Sequence, residues 1–209
     1  MVDRSSRGRV LPVYDLRDYF RTSIDEVIEK QGVEVDPHAA HYVVNLITLF
    51  SRSDNLYEDD GDYYGLRPLA LMLAEAADAP TPDQRNQCLQ RIGDVALFIS
   101  GFFIDSLATR AVDVDYYIHM GENAYGSLSE EVRGTFRGNA FADIYRELAI
   151  KFQVLIDVLN EVKDGARQET DVDLLRTYEI WLKTGSKRAE RLLRQQGVVP
   201  LFAGNGLSH

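Results

Sequence analysis

Three residues that could bind a metal ion lie close together in the segment "DVDYYIHMGENAY", residues 113 to 125. Asp115, His119 and Glu122 follow one another at spacings of four and three. On a helix they fall within about 60° of one another and therefore share a face. Imidazole and carboxylate ligands suit zinc, iron or manganese. The same spacing is also typical of the solvated side of an amphipathic helix, and the sequence favours that interpretation over the metal site.

Two further carboxylates lie in the most apolar part of the chain. Asp94 and Asp105 are eleven residues apart, so that they lie nearly in line along a predicted helix. A buried carboxylate needs partners, which arginine residues and the 11 tyrosines could supply. We expect a buried ion pair or hydrogen-bonded network that fixes helix register. The alternative is a carboxylate pair tuned for acid–base work or metal binding.

The C-terminal part combines a basic helix with an apolar tail. Arg188, Arg191 and Arg194 line the outer side of the predicted last helix, and Leu201 and Phe202 follow in an irregular segment. Basic residues near a helix C-terminus are favoured by the helix dipole alone. The functional hypothesis is docking to a protein partner through these residues. The competing hypothesis for the tail, which we prefer, is that it folds back over the bundle.

Several classes of site and of partner are disfavoured by composition and motifs. Cys88 is the only cysteine, so an intramolecular disulfide or a cysteine-based metal site is not possible. No nucleophile elbow, Walker loop or dinucleotide-binding glycine loop occurs, and no cofactor is implied. The net charge of −10 lowers the expectation of nucleic-acid binding. We find neither a secretory h-region nor an apolar run long enough to span a membrane, and we expect a soluble, cytoplasmic protein.

Helical periodicity and helix start signals recur along the chain, and convincing strands do not. Asp36-Pro37 and the segment "TPDQ" from Thr81 are capping signals. The helix predicted over about residues 82–109 is apolar on all sides near its middle, which predicts a central position. Its residues Gly93 and Gly101 predict close approach of neighbouring helices. A short helix over 114–126 and a long helical region over 129–162, broken near residues 134 and 138, follow.

These elements predict an all-α fold, a single-domain bundle of seven or eight helices. We expect an N-terminal arm over residues 1–13, the bundle over 14–197 and an apolar tail over 198–209. The leading functional hypothesis is an adaptor or regulatory module that acts through a protein partner or as a homo-oligomer, without enzymatic activity.

Two alternatives stay open. One is a metal- or cofactor-dependent helical enzyme of ferritin-like or haem-oxygenase-like type, since "RIGDVALFISG" resembles the glycine-containing helix of haem oxygenases over those few residues. The first predicted helix, however, has no histidine to serve as an axial ligand. The other alternative is a small-molecule sensor with an aromatic-lined pocket.

Overall fold

The computed structural model describes residues 16–51, 58–59, 64–65, 67–103, 114–134, 138–166, 180–181 and 184–195. In these ranges the chain forms eight helices, which confirms the predicted all-α bundle. They are α1 (Leu16–Gln31), α2 (Pro37–Phe50), α3 (Leu69–Asp78), α4 (Pro82–Phe102), α5 (Val114–Val132), α6 (Asn139–Ile150), α7 (Phe152–Ala166) and α8 (Lys187–Gln195). None of the helices in this described part is long and apolar enough to cross a membrane. The proposed N-terminal arm and C-terminal tail lie outside the described residues.

The two predicted helix starts have side-chain caps. The carboxylate of Asp36 accepts hydrogen bonds from the backbone N–H groups of His38 and Ala39 at the start of α2. The Thr81 hydroxyl oxygen accepts one from the N–H of Gln84 at the start of α4. Since the first N–H groups of a helix have no partner inside it, these caps stabilise the predicted boundaries.

Helix α4 occupies the centre of the bundle and packs against α5, α3, α7 and α2. Its residues from 95 to 101 are all buried. The predicted close approach is confirmed, because a Cβ on Gly101 would lie 2.7 Å from Leu159 Cδ1 in α7. The predicted end of this helix near residue 109 is wrong. The helix ends at Phe102, since Phe103 leaves helical conformation with φ −119° and ψ 18°. Residues 104–109, among them Asp105, lie outside the described part.

The region after residue 113 is divided differently from the prediction. Helix α5 continues to Val132 and does not stop near residue 126, because Leu128 and Ser129 are buried and the Ser129 hydroxyl donates to the Ala142 carbonyl. The predicted break near residues 134 and 138 is present between α5 and α6. A second break, which the sequence did not predict, lies at Lys151, where φ is −97° and ψ is 13°.

A small strand pair lies between α2 and α3, where the sequence analysis found no convincing strand. Glu58–Asp59 (β1) and Tyr64–Gly65 (β2) pair antiparallel, with Glu58 opposite Gly65 and Asp59 opposite Tyr64. The strands are two residues each, so the bundle architecture is unchanged.

Candidate functional site: a tyrosine cluster around Asp94

Asp94 lies on the central helix and accepts two hydrogen bonds from tyrosines of other helices. The hydroxyls of Tyr42 in α2 and Tyr125 in α5 each donate to Asp94 Oδ1 at 2.7 Å. Gln90, one turn earlier on α4, donates from Nε2 to the Tyr42 hydroxyl oxygen at 2.9 Å. A single carboxylate oxygen therefore joins α2, α4 and α5. We call Tyr42, Gln90, Asp94, Tyr125 and Tyr145 the tyrosine cluster.

Tyr145 from α6 closes the tyrosine cluster. Its ring centroid lies 5.8 Å from that of Tyr42 in an edge-on arrangement and 6.1 Å from that of Tyr125 in a stacked one. The ring of Phe152 lies 6.1 Å from Tyr125 on a further side. Aromatic pairs at these distances attract one another beyond the effect of burial. The rings contact one another beside the Asp94 carboxylate, and Asp94 itself is partly buried.

The position of the Tyr125 ring depends on the residue next to Asp94. A Cβ on Gly93 would lie 2.6 Å from Tyr125 Cε1 and 2.8 Å from Cζ. The glycine thus lets the ring lie against the backbone of α4, which places the hydroxyl beside the Asp94 carboxylate. The close approach predicted at Gly93 therefore has a specific partner.

The surroundings of Asp94 raise its pKa towards neutral pH. Burial raises the pKa of this carboxyl to about 6, and the hydrogen bonds from Tyr125 and Tyr42 and the charge of Arg91 hold it from rising further. Burial and the adjacent carboxylate raise the pKa of Tyr42 and Tyr125 and, to about 12, that of Tyr145. The tyrosines therefore stay neutral hydrogen-bond donors. What the cluster can do chemically is to take up or release one proton at Asp94.

The three residues of the metal hypothesis lie on α5. The side chain of His119 is 75% exposed and that of Glu122 is 38% exposed, and His119 Nδ1 lies 3.8 Å from Glu122 Oε2. Asp115 is partly buried. Burial raises the pKa of Glu122, and His119 opposes that shift. Within the described ranges, no three His, Cys, Asp or Glu side chains are grouped so that they could hold a metal ion. The metal hypothesis stays a prediction, which elemental analysis of the protein can test.

The C-terminal arginines each have a carboxylate partner inside the chain. Arg188 forms an ion pair with Asp164, and Arg191 Nη2 lies 3.1 Å from Glu161 Oε2; both acids belong to α7. Arg194 Nη2 lies 2.8 Å from Glu190 Oε1 within α8 itself. Leu201 and Phe202, the apolar part of the same hypothesis, lie outside the described residues. The sequence analysis did not predict these α7 partners, although Glu161 and Asp164 lie four and seven residues after a third acid, Asp157.

A surface groove between α3 and α4 was also missed. It has a volume of about 490 Å³ and opens to solvent. Met72, Ala79, Pro80 and Cys88 form its apolar part, and its charged lining residues are Arg67, Glu75, Asp78 and Arg91. Leu71 lies one helical turn before Glu75 on the same side of α3 and is 54% exposed. We call this surface, with Leu71, the α3/α4 groove.

Comparison of the chain with protein family models, with curated proteins and with solved structures finds no significant match. Any function therefore has to be argued from the chain's own geometry. The tyrosine cluster is partly buried between helices, whereas the α3/α4 groove is open to another molecule.

Proposed function

We propose that this chain is a protein-interaction module, an adaptor or regulatory protein, and that the α3/α4 groove is its partner-binding surface. The observation that carries the proposal is an open groove lined by both apolar and charged residues, with an exposed leucine beside it. Interfaces between proteins combine an apolar centre with a polar rim in this way. Because the groove is open, it suits the side chains of a protein segment better than an enclosed small molecule.

The partner should present at least one apolar side chain to the groove. Ala79, Pro80 and Cys88 supply apolar contact area, since Met72 itself is buried. The charged residues around them include both signs. Arg67 and Glu75 form an ion pair across this rim, so a partner with a strong excess of one charge gains little there. We therefore expect an amphipathic helix or extended segment that is anchored mainly by apolar contacts.

The proposal can be tested with Leu71→Asp, which places a charge at the edge of the groove. The wild-type chain and the variant are used as baits in an extract of the source organism, and bound proteins are quantified by mass spectrometry. A partner of the groove should bind the variant at least about tenfold less, because the new charge at the edge of the groove would be desolvated without a partner on binding. Ile150→Asp is the matched control, since Ile150 is 64% exposed and lies at the end of α6.

A second measurement locates the binding site. Cys88 is the only cysteine and lines the groove, so its alkylation rate reports access to this surface alone. The purified partner should slow alkylation of Cys88 in the wild-type chain and in Ile150→Asp, with little effect in Leu71→Asp. A partner that binds all three baits equally, or that leaves the alkylation rate unchanged, would rule out the groove as the docking surface.

The tyrosine cluster supplies little support for the sensor hypothesis. Its rings contact one another and leave the Asp94 carboxylate bonded to two hydroxyls. A ligand would have to compete with these two hydroxyls for the carboxylate. The enzyme hypothesis draws its ligands from Asp94, Asp105, Asp115, His119 and Glu122, and metal analysis is the deciding measurement for it.

A further inference from the structure

Helix α7 carries an acidic stripe that is occupied by the C-terminal part of the chain. The stripe consists of Asp157, Glu161 and Asp164, whose spacings of four and three place them on one face. Ser186 Oγ donates to Asp157 Oδ1 at 2.5 Å. Glu161 and Asp164 bind Arg191 and Arg188, as described above, and Glu161 also binds Lys30 and Gln31 of α1. Each acid of the stripe therefore has its own partner in or next to α8.

The same stripe binds the start of α8. The hydroxyl oxygen of Ser186 accepts a hydrogen bond from the N–H of Ala189 at 3.2 Å, as a helix cap does. The N–H of Arg188 donates to Asp157 Oδ2 at 3.3 Å. The Asp157 carboxylate thus lies at the positive end of the α8 dipole. The contacts recognise a capped helix start followed by two arginines three residues apart.

The described apolar residues of this region form a cluster separate from the main core. Trp181, Ala189 and Leu193 form a small buried cluster apart from the main core. Ile180 is the one apolar residue in the described ranges that packs against both clusters. We call residues 180–181 and 184–195 the C-terminal unit. Among the described residues, its contacts with α7 are therefore mainly polar, whereas the rest of the described bundle is held by a continuous apolar core.

We propose that the C-terminal unit is a charge-held latch: it detaches from α7 while the bundle stays folded, and the acidic stripe that it leaves accepts a basic helix in its place. Partly exposed ion pairs contribute little each, and regions with few apolar contacts open locally at lower cost than the whole fold. The surface lies on α7 and not at the α3/α4 groove, so the latch does not depend on the proposed function. The occupant is a capped helix with arginines three residues apart, as α8 itself is.

Trp181 makes detachment measurable, because it is the only tryptophan and is 2% exposed. Acrylamide quenching of its fluorescence is compared in the wild-type chain, Arg188→Gln and Arg191→Gln, with far-UV circular dichroism as the check that the bundle is folded. Both variants should raise the quenching constant severalfold, and 1 M sodium chloride should raise it in the wild-type chain, because salt at that concentration screens charges beyond about 3 Å. Arg194→Gln is the matched control, since its partner Glu190 lies within α8.

A labelled peptide with the sequence of residues 184–195 tests whether the vacated stripe accepts a basic helix. Arg188→Gln loosens the latch and leaves all three acids intact, so it should bind the peptide roughly fivefold more tightly than the wild-type chain does, because less of the stripe is occupied. Asp164→Asn also loosens the latch but damages the stripe, and should bind the peptide more weakly than Arg188→Gln. The proposal would be overturned if Trp181 stayed protected from quenching in every folded variant. It would also be overturned if the peptide bound no variant better than it binds the wild-type chain.

Discussion

Gly93 and Tyr125 lie in direct contact, and this contact holds the Tyr125 hydroxyl at the Asp94 carboxylate. The space where a side chain on Gly93 would begin is occupied by the Tyr125 ring, whose atoms Cε1, Cδ1 and Cζ would all lie within 2.8 Å of such a Cβ. Tyr125 is fully buried and bonded to Asp94 at 2.7 Å. A ring held by packing and by a hydrogen bond has little room to move.

Gly93→Ala should therefore destabilise the fold, although alanine is the better helix former. Overpacking a buried site costs about 1–3 kcal/mol, which exceeds the gain of up to about 1 kcal/mol in helix propensity. We expect a net loss of about 1–2 kcal/mol in the free energy of unfolding, measured by urea denaturation. Gly126→Ala is the control, since nothing lies within 4 Å of a Cβ there; it should be neutral or stabilising. Equal effects of the two substitutions would contradict the packing argument.

Asp94 should make the stability of the chain depend on pH in an identifiable way. The pKa of Asp94 is about 6 in the folded chain, against an ordinary value of 3.8, so the folded state holds this proton more tightly than the unfolded state. The stabilisation from Asp94 is fully present below about pH 4 and is lost as the pH rises through 6. The loss amounts to at most about 3 kcal/mol.

The measurement compares the wild-type chain with Asp94→Asn over that window. The other carboxyls titrate equally in both proteins, so the difference between their free energies of unfolding isolates Asp94. The wild-type chain should lose stability relative to the variant between pH 4 and pH 6.5. A difference that is flat, or that changes in the opposite direction, would show that Asp94 is not held in this environment.

Removing either tyrosine hydroxyl should raise the pKa of Asp94 above 6. Both hydroxyls donate to the ionised carboxylate and so favour its charged form. Tyr125→Phe and Tyr42→Phe should also cost about 1–3 kcal/mol each in stability, since hydrogen bonds to charged groups are the stronger ones. The pKa is followed by the carbon-13 shift of the Asp94 carboxyl. Tyr116→Phe, on the same helix as Tyr125 but outside the cluster, should leave that pKa unchanged.

His119 and Glu122 should behave as ordinary surface residues of α5. Because the His119 side chain is 75% exposed and lies 3.8 Å from Glu122, we expect His119→Ala and Glu122→Gln to change stability by no more than about 0.5 kcal/mol. Elemental analysis of untagged protein, purified without chelators, should give substoichiometric transition metal. Stoichiometric metal in the wild-type chain that is lost when His119→Ala and Glu122→Gln are combined would instead support the enzyme hypothesis.

The helices and many of their boundaries could be predicted because their causes are local. The caps at Asp36 and Thr81 act on N–H groups two or three residues further on, and the apolar periodicity of α4 is visible without knowledge of any neighbour. The glycines at 93 and 101 could likewise be recognised from the sequence alone, as positions where a neighbouring helix comes close to α4. The end of α4 was not predictable in this way, because residues 103 to 109 continue an apolar pattern compatible with a helix.

The sequence by itself determined an all-helical chain with a central apolar helix, and it indicated that Asp94 would need polar partners. Only the tertiary structure decided which ones: Tyr42 and Tyr125 are 52 and 31 residues away from Asp94. It also decided that Arg188 and Arg191 bind the acids of α7, where the sequence suggested an outward basic face. Helix periodicity states which side of a helix is polar, whereas the partner that this side meets depends on how the helices pack around one another.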